Sequence, residues 1–343
     1  MRVVVFFLLL ASLASAQTPP LPAGQGPSVV YVAHDPLAIK RYETNDPVVR
    51  AMVNRLVMAV TNRADVTSAW RSLVTPQDRV GIKISAAGGR IFTTHRAVVN
   101  AIASGLAAAG VPRNNIIVWD RNLTGARAAG YENGLYRLES IAPREGYDPK
   151  ATVSAPGIGR LIWGDLEYVA RTSVPLSDEE NTSTLSHFAR VLTKEVTKVI
   201  NVPVVSDSET NGVAGCIYNM TIPNLDNWRR FTQGNRFSAG GLAEVYADPI
   251  IRGKVVLNLM DGLIAEYAGG PATQPSFQIH HATLYASRDP VALDALALRQ
   301  IDKWRLHASL PSLMDRAADI ENAAALGLGQ GNPDKISVRT VWP

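Results

Sequence analysis

The chain has 343 residues, 46% of them hydrophobic and 19% charged, with a formal net charge of +4. That length carries a sizeable core, and so small an excess of scattered Lys and Arg argues against a nucleic-acid partner. Cys216 is the only cysteine, which rules out an internal disulfide, a CxxC metal knuckle and a cysteine-ligated iron–sulfur cluster.

Arg2, the apolar run 3–11 and Ala14-Ser15-Ala16 form the pattern of a secretory signal peptide cleaved after Ala16. The run is too short to span a bilayer, and no later stretch holds the roughly 18 uninterrupted apolar residues of a membrane helix. The mature chain is therefore expected to be exported, periplasmic or secreted, without a membrane span. Residues 17–28, rich in Pro and Gly, read as a flexible leader. The remainder, 29–343, reads as a single large α/β domain.

Asp46-Pro47 opens a helix whose apolar residues Val48, Val49, Met52, Val53, Leu56, Val57 and Val60 keep helical spacing. RVGIKIS, 79–85, predicts a strand, AAGGRIF a loop, and the stretch from Thr94 to Gly110 a helix capped at both ends. NIIVWD, 115–120, predicts the next strand, so 79–120 forms a βαβ unit with two parallel strands. The middle, 121–182, is irregular, with GRLIWG as a short strand. A helix is predicted over 184–195 and a strand over 197–205. KVVLNLMD at 254–261 and ATLYASRD at 282–289 predict two more strands. Pro290 starts a helix, a shorter one follows near 315–325, and KISVRTVW predicts a last strand. Helices alternating with apolar strands specify an α/β fold, a mainly parallel sheet with helices on both faces.

Ligands bind beyond the carboxyl ends of strands in such sheets. That rule collects Lys83, Asp120, the segment 206–211, Asp261 and Asp289 at one edge. Lys83 is the expected charge anchor, Asp120 and Asp207 the acid/base groups, and Ser206, Ser208, Asn211, Asn219, Asp261 and Asp289 the ligand-binding groups. The expected partner is a small polar metabolite, acted on or merely captured; a scaffold with a relict site is the alternative. Gly88 and Gly89 precede a helix N-terminus, where backbone N–H groups hold anions. His281 is the candidate metal ligand, although adjacent histidines on a strand point to opposite faces and no ligand spacing such as HExxH occurs. Asp294 lies among Val291, Ala292, Leu293 and Ala295, and an acid in apolar company needs a partner, with Arg288 or a nearby loop the expected one.

TTHRAVVNAIASGLAAAGVPRNNIIVWDR, VINVPVVSDSETNGVAGCIYNM, VVLNLMDGL and LYASRDPVALDAL together resemble the domain-of-unknown-function family numbered 362, a prokaryotic family, over about 75–305. The resemblance implies an α/β core and no established reaction. Many relatives carry ferredoxin-type cysteine clusters, which the single Cys216 excludes here. Relatives place lysine, histidine and a second lysine where this chain has Ser206, Ser208 and Tyr218, whereas Lys83, Asn219, Asp261, Gly270-Pro271, Asp289-Pro290 and Asp294 match. A charge-assisted hydrogen bond contributes about 1.5–3 kcal/mol. Two lost from one pocket would weaken anion binding on the order of a thousandfold, so the resemblance implies a changed ligand or a lost activity.

Overall fold

The computed structural model describes residues 27–143, 145–153, 163–164, 182–183, 185–231 and 240–342. The expected signal segment, nearly all of the leader and most of GRLIWG lie outside these residues.

The framework is a ten-stranded sheet. Its strands are β1 (Ser28–His34), β2 (Val80–Ile84), β3 (Ile116–Asp120), β4 (Arg137–Ser140) and β5 (Lys198–Val202). They continue with β6 (Val204–Ser208), β7 (Gly212–Val213), β8 (Val255–Glu266), β9 (Gln278–Ser287) and β10 (Ile336–Thr340). The main path runs β10-β1-β9-β8-β5-β2-β3-β4, and β6 joins β8 and β7 beside it. From β8 to β4 all neighbours are parallel, as are β6 with β8 and β1 with β10. β9 runs antiparallel to both β1 and β8, and β7 antiparallel to β6, so the sheet is mainly parallel with two reversed strands.

Period-two alternation feeds two cores. Ile116 and Val118 join α1 (Asp46–Thr61), α2 (Val66–Arg71) and α3 (Arg96–Ala108) on one face. Ile117 and Trp119 point the other way, into a second core. That core holds residues of α5 (Cys216–Thr221), α6 (Gly241–Ala247), α7 (Pro290–His307) and α8 (Ala318–Ala325). The short α4 (Thr124–Ala128) follows β3.

Several sequence expectations are corrected. The α-helix expected over 184–195 is replaced in its first part by a strand, His187–Ala189, paired with Tyr147–Thr152, and only Val191–Glu195 is helical, as a single π-helical turn. The strand's backbone is drawn away from a helix by Asp226, whose carboxylate accepts from His187 N at 2.7 Å. The strand expected over 197–205 breaks at Pro203, which has no N–H for a ladder, and resumes as β6. Ser206, Asp207 and Ser208 thus belong to a buried strand and not to a loop. β8 runs five residues past Asp261, its predicted end.

Buried aspartates fasten the helices to this framework. Asp294 in α7 accepts from the N–H groups of Cys216 and Ile217 at 2.5 and 2.9 Å, so the partner its setting demanded is the start of α5 and not Arg288. A Cβ on Gly215 would sit 2.1 Å from Asp294 Oδ1, so only glycine admits this approach. Asp319 in α8 accepts from Leu242 N at the start of α6 at 3.0 Å, and Asp289 caps its own helix α7 through Ala292 N at 2.9 Å.

Burial raises Asp294 from 3.8 to about 7 in the folded chain. The fold therefore favours its protonated form, and the stability this group contributes is complete below its unfolded value and lost as pH rises through about 7. Asp294→Ala should destabilise the chain by about 1–3 kcal/mol for each N–H group left without an acceptor, read by urea unfolding. The wild type should also lose stability relative to Asp294→Asn between about pH 5 and about pH 8. A gap between the two that stays constant over that range would remove Asp294 as the titrating group.

Candidate functional site

Three strands end at one place. Lys83 is the last but one residue of β2, Asp120 closes β3, and α5 brings Asn219 across the end of β5. Lys83 is fully buried, and burial pushes its ammonium pKa down against the opposing pull of Asp120. Its Nζ donates to Asp120 Oδ1 at 2.8 Å, to the Ile84 carbonyl at 2.6 Å and to Asn219 Oδ1 at 3.1 Å. An ammonium has three protons, so this one is fully engaged. Asp120 in turn accepts from Ala86 N at 2.7 Å and Arg121 N at 2.8 Å, in addition to Lys83.

Behind the pair runs a lateral row of polar side chains. Lys83, Asn201 and Asn258 are register partners on β2, β5 and β8. Asn219 Nδ2 donates to Asn201 Oδ1 at 2.8 Å, and Asn201 Nδ2 donates to Asn258 Oδ1 at 2.9 Å and to the Cys216 carbonyl at 3.0 Å. These bonds hold α5 against the sheet and aim Asn219 at the ion pair.

Above the pair lies a cavity of about 200 Å³. Asp120, Ser85, Ser206 and Asn219 give it a polar floor, while Phe92, Val204, Ile222 and Trp228 give apolar walls. Tyr218 lines it too; its hydroxyl has no hydrogen-bond partner among the described residues, and burial pushes its pKa up to about 12. The Arg121 guanidinium borders the cavity, lies 5.3 Å from the centre of the Trp228 ring, and donates to the carbonyls of Ile222 and Leu225. Gly88 forms part of the rim in an antiparallel bridge to Phe92, and a Cβ there would meet the Phe92 carbonyl at 1.8 Å.

The structure brings Asp120, Ser206 and Asn219 together on this cavity and puts Lys83 directly beneath it. Of the three positions where relatives carry cations, Ser206 and Tyr218 face the cavity. Ser208 does not line it; its Oγ accepts from Asn211 N at 3.1 Å. Asn211 is bonded to Asp319 at 2.8 Å.

Asp207 points to the opposite face of β6, toward Arg305 of α7 at 3.8 Å, with Gly270 N donating to both carboxylate oxygens at 3.1 Å. Burial raises Asp207 to about 7. Asp261 accepts from His95 N at 2.7 Å and lies 2.9 Å from His95 Nδ1, so a carboxylate of the chain itself stands beside the N-cap of α3, the helix whose N-terminus follows Gly88 and Gly89. Asp289 is a helix cap, remote from the cavity lining.

His281, the candidate metal ligand, lies 2.5 Å from the Tyr285 hydroxyl and edge-on to Trp304, and burial lowers it to about 4. Among the described residues no group of three or more His, Cys, Asp or Glu side chains could hold a metal ion, and no helix is long and apolar enough to cross a membrane.

Phe92, Trp228 and Asn201 were not legible as site residues. Only Asn201 left a signal, an amide inside an otherwise apolar strand, which requires a buried partner.

The family model described as a domain of unknown function (DUF362) matches residues 80–299. No curated protein sequence matches the chain. A solved structure of a Thermotoga maritima protein is similar over 79% of this chain and 61% of its own, at 11% sequence identity and a TM-score of 0.45. The chain thus spans about three-fifths of that protein's length. The family match begins at the first residue of β2 and ends within α7, and so takes in Lys83, Asp120, Asn219, Asp261 and Asp294. On that match over most of its length, the chain belongs to the DUF362 family, the domain of unknown function.

Proposed function

We propose that the chain is an exported protein that binds a small polar organic molecule in the cavity at the carboxyl ends of β2, β3 and β5. One observation carries this reading: a buried ion pair, Lys83–Asp120, whose carboxylate faces open space bounded by apolar walls. Desolvating two charges costs several kcal/mol per ion, and apolar replacements of like volume are often as stable or more so. A fold that keeps such a pair under a cavity supports a role for it in recognition.

Binding is favoured over proton transfer by the way Asp120 is held. Two backbone N–H groups and an ammonium, all fixed, already occupy it, an arrangement suited to a rigid acceptor. An open cavity also supports capture over the relict-scaffold alternative. The segment from Arg2 to Ala16 supports export, which would put the site in the cell envelope or outside the cell.

Lys83→Met should destabilise the chain by about 3–5 kcal/mol in urea unfolding, because it leaves Asp120 without its counter-charge. Asp120→Asn, destabilised because it leaves Lys83 without its counter-charge, and Trp228→Ala should still fold and yet lose the thermal shift that a bound metabolite produces in the wild type. If both respond like the wild type across a metabolite panel, the ligand is held elsewhere. Mass spectrometry of the protein recovered from the expressing cells should find Gln17 as its first residue; an intact Met1 in the exported fraction would refute cleavage after Ala16.

A further inference from the structure

The charges around the cavity discriminate between ligand classes. Asp120 turns a carboxylate toward the space, which disfavours an anionic head group. Arg121 borders the same space with a guanidinium, which disfavours a cationic one. Parallel sheets commonly take anions at helix N-termini. Here the carboxylate of Asp261 stands at the N-cap of α3, accepting from His95 N at 2.7 Å, and opposes a second anion there. The start of α5 is filled by Asp294.

Hydroxyl chemistry fits what remains. Asp120 accepts protons, while the Tyr218 and Ser85 hydroxyls, neither with a hydrogen-bond partner among the described residues, can donate. A ligand hydroxyl uses both, donating to the carboxylate and accepting from a side-chain O–H. The walls set the rest of the ligand. Phe92 and Trp228 present ring faces or edges, and Val204 and Ile222 close the remainder. An apolar cavity of about 150 Å³ takes a benzene ring, so this one, at about 200 Å³, takes a ring with one or two further substituents, roughly eight to ten non-hydrogen atoms by that comparison.

We infer that the ligand is a small neutral hydroxylated ring compound, held with its hydroxyl between Asp120 and Tyr218 and its ring between Phe92 and Trp228. This rests on the cavity being the binding site, and it adds the charge and shape of the occupant.

Isothermal titration of the mature protein with para-cresol, toluene, benzoate and benzylamine tests it. Para-cresol should bind at least tenfold more tightly than each of the other three. Tighter or equal binding of benzoate or benzylamine overturns the neutral class, and equal binding of toluene overturns the hydroxyl contact; in both cases the cavity remains the site. No heat from any of the four at millimolar concentration overturns the ligand class and the cavity reading together. Asp120→Asn should weaken para-cresol at least tenfold with the near-ultraviolet circular dichroism unchanged. Should that variant fail to fold, Tyr218→Phe should weaken para-cresol severalfold and leave toluene unaffected; an equal loss for both probes would overturn the hydroxyl contact.

Discussion

Buried carboxylates at helix N-termini organise this molecule. The first N–H groups of a helix have no partner inside the helix and carry the positive end of its dipole. In this chain that need is met from far away. Asp261 on β8 reaches the start of α3, 166 residues earlier. Asp294 on α7 reaches α5 across 77 and 78 residues, and Asp319 on α8 reaches α6 across 77. Each tie joins two elements that the chain itself does not connect, and two of them set the cavity. Asp261 fixes where α3 begins, just after the Phe92 wall, and Asp294 fixes α5, which carries Tyr218 and Asn219. The dipole interaction is modest, about 0.3–1 kcal/mol at the surface and up to about 2 when partly buried. Burial strengthens the requirement, since a lost acceptor leaves dry N–H groups behind.

The same ties change what the carboxyl edge of the sheet can do. That edge is where open α/β sheets place ligands, and the cavity does lie there. Its helix starts, however, already face carboxyl groups of the chain itself, Asp261 and Asp294. In the proposed binding role, recognition would fall to side chains, to the Lys83–Asp120 pair and the hydroxyls around it. The charge of Asp120 at the cavity floor is matched within the protein, by Lys83.

Much of this architecture was legible in the sequence. The strand at 79–85 and the helix from Pro290 follow from periodicity and capping, which act over a few residues. The helix after Thr94 follows from periodicity alone at its start, since His95 holds the N-cap and Thr94 Oγ1 donates to the Val202 carbonyl at 2.7 Å. Asp294 could be flagged as needing a partner because its neighbours are apolar. Which partner it has was not legible, because Cys216 and Ile217 are distant in sequence. Asp261 was misread for the same reason: a polar residue followed by glycine looks like the end of a strand, unless a helix terminus lies beside it. The polar composition of 206–211 reads as chain beyond the end of a strand, which holds for the turn at 209–211 but not for Ser206 to Ser208. Strand pairing overrode composition there, with Ser206 opposite Glu266 on β8 and Asp207 opposite Val213 on β7. Alternation then sends Asp207 to the face of α7, away from Ser206 and the cavity.

The polar row behind the ion pair links folding to the site. Lys83, Asn201 and Asn258 lie side by side on three adjacent parallel strands, facing α5. A shift of one residue in the register of β5 would turn Asn201 to the other face, among the side chains of α1 and α3, and leave Asn219 without its acceptor. Apolar strands slide past one another with little penalty, whereas a buried amide without partners costs about 1–3 kcal/mol. The asparagines therefore select one register out of several that would bury the same valines and isoleucines. That register also sets Asn219 against Lys83, and through Lys83 it orients Asp120. The specificity of the sheet and the geometry of the cavity floor are thus one set of hydrogen bonds. Substitutions that loosen the row should move the carboxylate before they unfold the chain, because the strands have apolar pairing to fall back on and Asp120 has no other ammonium within the row.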